Sequence, residues 1–276
     1  MIVAGIVLYN PDIKRLEQNL NAICSQIEEV IIIDNNSKNF IEIEKTIMNY
    51  SNISVLRNDV NKGIAIALNQ IILYADSKAY KWAITLDQDS VCSTGLINAY
   101  KEFCNIENIG MMTCNIIDRN FTLKRQDSKE EPYIFVKTCI TSGCLTNIAD
   151  CIAVGGFDES LFIDCVDFDM CTTMLEHGYK IIKINFDGLL HEVGEAFIKK
   201  ICGKTEVIYN HSAFRKYYIA RNGIYYVRKH KASLNFAHRY LGVYKQILLS
   251  LLFEEKKLKK LKASIRGLID GHKMKI

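Results

Sequence analysis

Proline is nearly missing from this chain: Pro11 and Pro132 are the only two in 276 residues. Little therefore interrupts long helices. C-x-x-C spacing is missing as well, although ten cysteines are present, and that argues against a structural zinc site. No secretory leader opens the sequence, so the cysteines are expected to be reduced thiols of a cytosolic protein. Cys144, Cys165 and Cys171 lie near candidate functional residues and read most simply as small buried hydrophobes. The apolar start "MIVAGIVLYNPD" is too short to span a bilayer and reads as a first strand. Internal repeats, low-complexity tracts and Gly/Pro/Ser linkers are absent too. That leaves one large core, or one domain with an appendage.

Acidic residues are missing from one long stretch near the end. Residues 211–253 contain none, and residues 211–276 hold 16 Lys and Arg against Glu254, Glu255 and Asp270. Residues 1–210 hold 19 Lys and Arg against 28 Asp and Glu. The formal net charge of +4 thus hides an acidic body and a basic tail. Such a tail is expected to meet something anionic: a membrane surface, a nucleic acid or a phosphorylated lipid.

What is present in the first half is alternation. Apolar runs at 2–8, 30–34, 53–57 and 82–87 predict strands. Between them, 10–26, a stretch around 40–50, and 63–76 carry helical patterns, with Pro11 expected in a first helical turn. Strand–helix alternation predicts an α/β fold with a mainly parallel sheet covered on both faces. Further strands are expected at 109–114, 133–138 and 179–185, a helix ending at Gly178, and almost pure helix from 211 onward.

In such sheets ligands bind beyond the carboxyl ends of the strands. Three strands end there in polar residues: Tyr9-Asn10, Asp34-Asn35-Asn36-Ser37 and Asp87-Gln88-Asp89-Ser90. In an extended segment Asp87 and Asp89 would face the same side. Two carboxylates so close call for a cation, and hard oxygen donors suit Mg²⁺ or Mn²⁺. The plainer alternative is that they cap the next helix. Asp34 ends a strand where a carboxylate can accept the N3–H of uracil or thymine, or simply close an Asx turn. In "NKGIAIALNQ" (61–70), Gly63 permits close backbone approach at a helix start, with Asn61 and Asn69 flanking it.

Taken in order, these segments resemble family 2 glycosyltransferases of the GT-A fold. The resemblance rests on Tyr9-Asn10-Pro11, "IDNNS" (33–37), "NKGIAIALN" (61–69) and "LDQDS" (86–90). It continues through "GGFDESLFIDCVDFDM" (155–170) and "HEVGE" (191–195). "TLDQDS", "FIDCVDFD", "YYIARNGIYYVRKH" and a terminal "RGLIDG" are similar to the rhamnosyltransferase-like branch.

The resemblance implies a Rossmann-like GT-A catalytic domain over residues 1–210, with a nucleotide-sugar half to about 115, an acceptor half from 116, and a helical extension over 211–276. It implies inverting transfer of a sugar, L-rhamnose from dTDP-rhamnose in that branch, to a glycan or lipid-linked glycan in surface polysaccharide synthesis. Asp89, Asp87 and His191 would hold Mn²⁺ or Mg²⁺. Tyr9, Asn10, Asp34, Asn35, Ser37, Asn61, Gly63, Asn69, Asp87, Gln88, Ser142 and Gly143 would bind the dTDP- or UDP-sugar. Asp167 would be the general base, with Asp164 as its rival and Asp169 next. On one helix Asp164 and Asp167 would share a face. Relatives carry an arginine a few residues after the base, where this chain has "CTTM".

The tail interleaves Tyr with Arg and Lys over 214–231, then turns apolar in "YKQILLSLLF" (244–253). "KKLKKLKASIRGLI" follows, with Leu258, Leu261, Ile265 and Leu268 at helical spacing. This is the pattern of an interfacial basic helix, and it predicts a cytoplasmic enzyme held peripherally on the inner leaflet, with no nucleic-acid partner. A solvated helix packed on the catalytic domain is the alternative. Two other functions compete: a haloacid-dehalogenase-type phosphatase using Asp87 and Asp89, and a non-catalytic membrane- or RNA-binding scaffold.

Overall fold

The run Ile2–Leu8 forms strand β1, buried at every position except the partly covered Val7. It needs that apolar character because neighbours cover both its faces. β2 (Val30–Asp34), β3 (Ile53–Arg57) and β4 (Trp82–Asp87) join it in the parallel order β3-β2-β1-β4. All four strands begin and end where the apolar runs do.

The connecting helices are α1 (Ile13–Cys24), α2 (Phe40–Ile47) and α3 (Ile64–Ser77). Leu16, Leu20 and Ile23 bury the inner face of α1 at the 3–4-residue spacing of one helical stripe. Its cap is Asp12, whose side chain accepts the N–H of Arg15. Pro11 therefore lies just outside the helix rather than in its first turn, because Asp12 supplies the acceptor that starts it. α3 lies so close to β1 that a side chain on Gly5 would collide with Ile71.

The chain steps from β1 outward to β3, then returns to the other side of β1 as β4. In sheets of this kind ligands bind at such a reversal, here above the carboxyl ends of β1 and β4. Beyond β4 come β5 (Val91–Cys92), α4 (Leu96–Lys101), β6 (Ile109–Asp118), β7 (Tyr133–Val136), β8 (Cys144–Asn147), α5 (Ile148–Ala153), α6 (Val166–Glu176) and β9 (Lys180–His191). The sheet continues β4-β8-β6-β9-β5, with β7 on β9. β8 runs antiparallel to both neighbours, while β6 and β9 are parallel. α6 ends just before Gly178, which has φ 85°, as its sequence predicts.

This computed structural model describes residues 1–118, 131–191, 196–201 and 204–276, with backbone only at 118, 191, 196–201 and 204–207. The chain divides into two compact units, Met1–Ser160 with Asp167–Glu192, and Leu161–Val166 with Val193–Ile276. The second unit holds a hairpin of β10 (Ala196–Ile201) and β11 (Lys204–Tyr209). Three helices follow: α7 (Ala213–Lys229), α8 (Phe236–Phe253) and α9 (Lys257–Lys273). α9 crosses α7 backbone to backbone, since a Cβ on Gly267 or Gly271 would strike the carbonyl of Tyr217 or Arg221. Glu254 is buried between Lys216 and Lys260, and Lys260 also donates to Asn210. Among the described residues no helix is long and apolar enough to cross a membrane.

Candidate active site

β4 is buried through Leu86 and emerges at the exposed Asp87. The N–H of Ser90 donates back to the carbonyl of Asp87 at 3.2 Å. Residues 87–90 are thus a tight turn and not the extended segment expected, with Asp87 exposed and Asp89 half-buried in it. Nor do they cap a helix: β5 follows directly, and α4 is entered through Gly95 in the left-handed conformation, φ 85°.

Buried groups fix this turn from below. Ser142 Oγ accepts the N–H of Asp87 at 3.0 Å and donates to Ser90 Oγ at 2.8 Å. Asn19, on α1, donates its amide to the carbonyl of Asp87 at 2.7 Å. The N–H of Gly143 donates to the carbonyl of Thr85 at 2.8 Å, and Thr85 Oγ1 donates to the carbonyl of Thr141 at 2.6 Å. Gly143 has φ 75°, and a Cβ there would lie 3.0 Å from Leu189. The left-handed φ is what calls for a glycine here. Ser142 and Gly143 therefore stand directly under the acidic turn.

The ends of β1 and β2 meet it from the side. The N–H of Tyr9 donates to Gln88 Oε1 at 2.9 Å, bridging the reversal point. Asn10, at φ 50°, donates its N–H to Ser37 Oγ and accepts the N–H of Lys38, each at 2.8 Å. Asp34 is fully buried: both its oxygens accept the N–H of Ser37 at 3.2 Å, and Arg57 Nε donates to one at 3.2 Å. Arg57 lies 4.0 Å over the Phe40 ring and keeps 46% of its side chain exposed. At this edge the solvent meets a guanidinium, not the Asp34 carboxylate. The sequence reading missed Arg57, yet both residues end adjacent parallel strands and pair in register.

Asn35, Asn61 and Gly63 form a second layer. Asn35 donates to the carbonyl of Gly63 at 3.1 Å and accepts from Asn58 at 2.9 Å. Asn61 accepts the N–H of Gly63 at 2.9 Å. Asn69 is turned elsewhere, donating to the carbonyl of Phe157 and to Glu159 and accepting the N–H of Phe157. It fastens the glycine-rich 155–159 loop in place.

Asp167 lies half-buried in the first turn of α6, accepting the N–H of Phe168 at 2.9 Å, and Asp169 is buried. Asp164 and Cys165 have φ 67° and 66°, so the helix starts only at Val166. The helical i, i+3 pairing of Asp164 with Asp167 is not formed. Within the second unit, two nitrogens of Arg215 donate to the Asp164 carboxylate, at 3.0–3.4 Å, and the Asp164 carbonyl accepts from the buried Asn222 at 3.0 Å. Burial raises the Asp164 carboxyl above its usual range, against the pull of Arg215.

Cys144 and Cys171 are buried free thiols, as expected, and Cys165 is half-buried. Among the described residues no three His, Cys, Asp or Glu side chains gather closely enough to hold a metal ion. The side chain of His191 and residues 192–195 lie outside the described residues. Carboxylates such as those of Asp87 and Asp89 are hard oxygen donors of the kind Mg²⁺ and Mn²⁺ take, one or two at a time.

The profile of "Glycosyl transferase family 2" matches residues 4–153, more than half of the chain. The chain is 29% identical to the "dTDP-rhamnosyl transferase RfbF" of Shigella flexneri over 98% of its own length and 95% of that protein. Its fold is similar to S. aureus TarS 1-349 solved with UDP-GlcNAc, at TM-score 0.62 and 16% identity, covering 98% of this chain and 80% of that one. It is similar also to the mannosyltransferase PcManGT of Pyrobaculum calidifontis, solved with GDP-Man and Mn²⁺, at TM-score 0.63 and 14% identity over 100% and 76% of the two chains. The matched profile begins in β1 and runs through the acidic turn and the Ser142–Gly143 support, and the chain belongs to glycosyl transferase family 2.

Proposed function

We propose that this glycosyltransferase moves L-rhamnose from dTDP-rhamnose to a glycan or lipid-linked glycan, with inversion at the anomeric carbon. The near full-length similarity to a dTDP-rhamnosyl transferase supports that donor. The observation that carries the reading is the Asp87–Ser90 turn, pinned by Ser142 at the reversal point of the sheet. A sheet of this topology delivers ligands to that point.

Tyr9, Asn10, Asp34, Asn35, Ser37, Asn61, Gly63 and Gln88 would form the nucleotide side, Ser142 and Gly143 the sugar side. Because Asp34 is buried against Arg57, we assign Arg57 to the base pocket as well. It would donate to a pyrimidine carbonyl while Asp34 orients it, and Asp34 would reach an N3–H only once Arg57 turns aside. Asn69 would act by positioning the 155–159 loop.

Asp87 and Asp89, with His191, would hold Mn²⁺ or Mg²⁺; PcManGT is solved with Mn²⁺. The bound cation would supply positive charge beside the diphosphate as it departs. Asp167 would take the proton of the acceptor hydroxyl. The hydroxyl oxygen then bonds to the anomeric carbon as the sugar–diphosphate bond breaks. Residues 1–210 would be the catalytic domain, and 211–276 would hold it at the inner leaflet of the membrane, on the cytoplasmic side.

The test is Asp167→Asn, assayed with Mn²⁺ present for transfer from dTDP-rhamnose and for dTDP binding by thermal shift. Lost turnover with retained binding supports the reading. Normal turnover overturns the assignment of the base.

A further inference from the structure

α8 is unusual for a helix in water. Eighteen residues long and rich in leucine, it buries only Ser250 fully. At about 100° per residue, Leu241 lies about 180° round the helix from Ser250, and Leu248 and Leu252 about 160°. The pole that faces away from the protein, where a solvated helix carries charge, is therefore leucine. All three are more than half exposed, Leu241 at 66%.

α9 repeats the arrangement. Its buried positions are Lys260, Ser264, Gly267 and Gly271, and the two glycines rest on α7. Leu258, Ile265 and Ile269 lie about 160–180° round from Gly267. They are exposed, Leu258 at 82%. The basic helix marked out by the sequence is thus docked by its small residues, and its free side is apolar. One lysine stands beside each pole, Lys245 on α8 and Lys262 on α9, about 40° from Leu241 and Leu258 respectively.

We propose that the outward poles of α8 and α9 are a surface that inserts into an anionic lipid bilayer. The proposal rests on the placement of residues 211–276 at the membrane given above, and names the helices and side chains that enter. Charge selects this occupant. A second copy of the chain would bring a region of 16 basic and three acidic residues against its own like. A nucleic acid would answer the charge but leave both apolar poles in water. A bilayer with anionic headgroups takes the apolar side chains at the acyl boundary, while lysines lying on the flanks reach back to phosphates.

The test is sedimentation of the full chain with vesicles of phosphatidylcholine, with and without phosphatidylglycerol. Wild type is expected to pellet with the phosphatidylglycerol vesicles and to stay in solution with phosphatidylcholine alone. Leu248→Glu and Ile265→Glu are each expected to weaken that partition by about tenfold or more. Their melting temperatures should match wild type, because both side chains are exposed. Wild type remaining in the supernatant, both variants binding like wild type, or a dimer that Leu248→Glu splits would each overturn the proposal. A thermal shift with dTDP and Mn²⁺ on the same samples separates the two readings. Nucleotide binding without vesicle binding removes this surface alone, and vesicle binding without nucleotide binding removes the dTDP-sugar reading alone.

Discussion

Ser142 accepts the backbone N–H of Asp87 at 3.0 Å across 55 residues of sequence, and the same buried hydroxyl donates to Ser90 at 2.8 Å. The acidic turn therefore has its shape set from a distant loop. Ser142→Ala removes both bonds and leaves the Asp87 N–H without its acceptor. We expect a loss of about 1–3 kcal/mol in stability. We also expect a drop in transfer rate larger than the change in donor affinity, because the carboxylates lose their fixed position. Urea unfolding and separate kcat and KM values check both.

The 155–159 loop depends on an asparagine and a glycine. Gly156 has φ 75°, and a Cβ there would sit 2.8 Å from Asn69 Oδ1. Gly156→Ala must strain the backbone and displace Asn69 together, at a cost of about 1–3 kcal/mol. Asn69→Ala, which only removes the bonds, should destabilise less. Comparing the two urea midpoints tests that order.

The first four strands were legible because each is a short apolar run bounded by polar residues, and parallel strands buried on both faces keep that signature. β5, the hairpin β10–β11 and the antiparallel β8 were not. β5 has two residues and β8 four, and what makes them strands is a partner far away in sequence. The acidic turn was found, but its geometry was misread, since a hydrogen bond from Ser90 to Asp87 leaves no periodic trace. Arg57 was missed for a similar reason. Its pairing with Asp34 follows from strand register, not from spacing along the chain. The outward leucines of α8 were in view as an apolar run, but which side of the helix packs is known only from where Ser250 is buried.

Glu254 is the shared partner of two buried lysines, Lys216 and Lys260, the latter at 2.9 Å. Removing it leaves both cations facing each other in a poorly solvated site. Glu254→Ala should cost about 3–5 kcal/mol. Adding Lys216→Met and Lys260→Met should recover much of that loss, which denaturant titration of the single and triple variants measures.

His211 is half-buried and stacked on Tyr209. Burial first, then Arg215 and Lys216, push its pKa down to about 4. An unfolded histidine titrates at about 6.5, so between these values the unfolded chain holds the extra proton. The stability tied to neutral His211 is full above the unfolded value and is lost as pH falls through the folded one. Asp164 works the other way, since its raised carboxyl lets the native state take up a proton first as the solution is acidified. The difference between wild type and His211→Phe isolates the imidazole. The fall in melting temperature from neutral to acid pH should be shallower in the variant.

The central claim is that Asp87 and Asp89 hold a divalent cation for the departing nucleotide. Its most direct test is calorimetric titration of dTDP into wild type and Asp89→Asn, with Mn²⁺ or with a chelator, alongside transfer from dTDP-rhamnose. The account predicts cation-dependent dTDP binding and transfer in wild type, both abolished by chelation and by Asp89→Asn. Transfer that persists in excess chelator at the wild-type rate would contradict it.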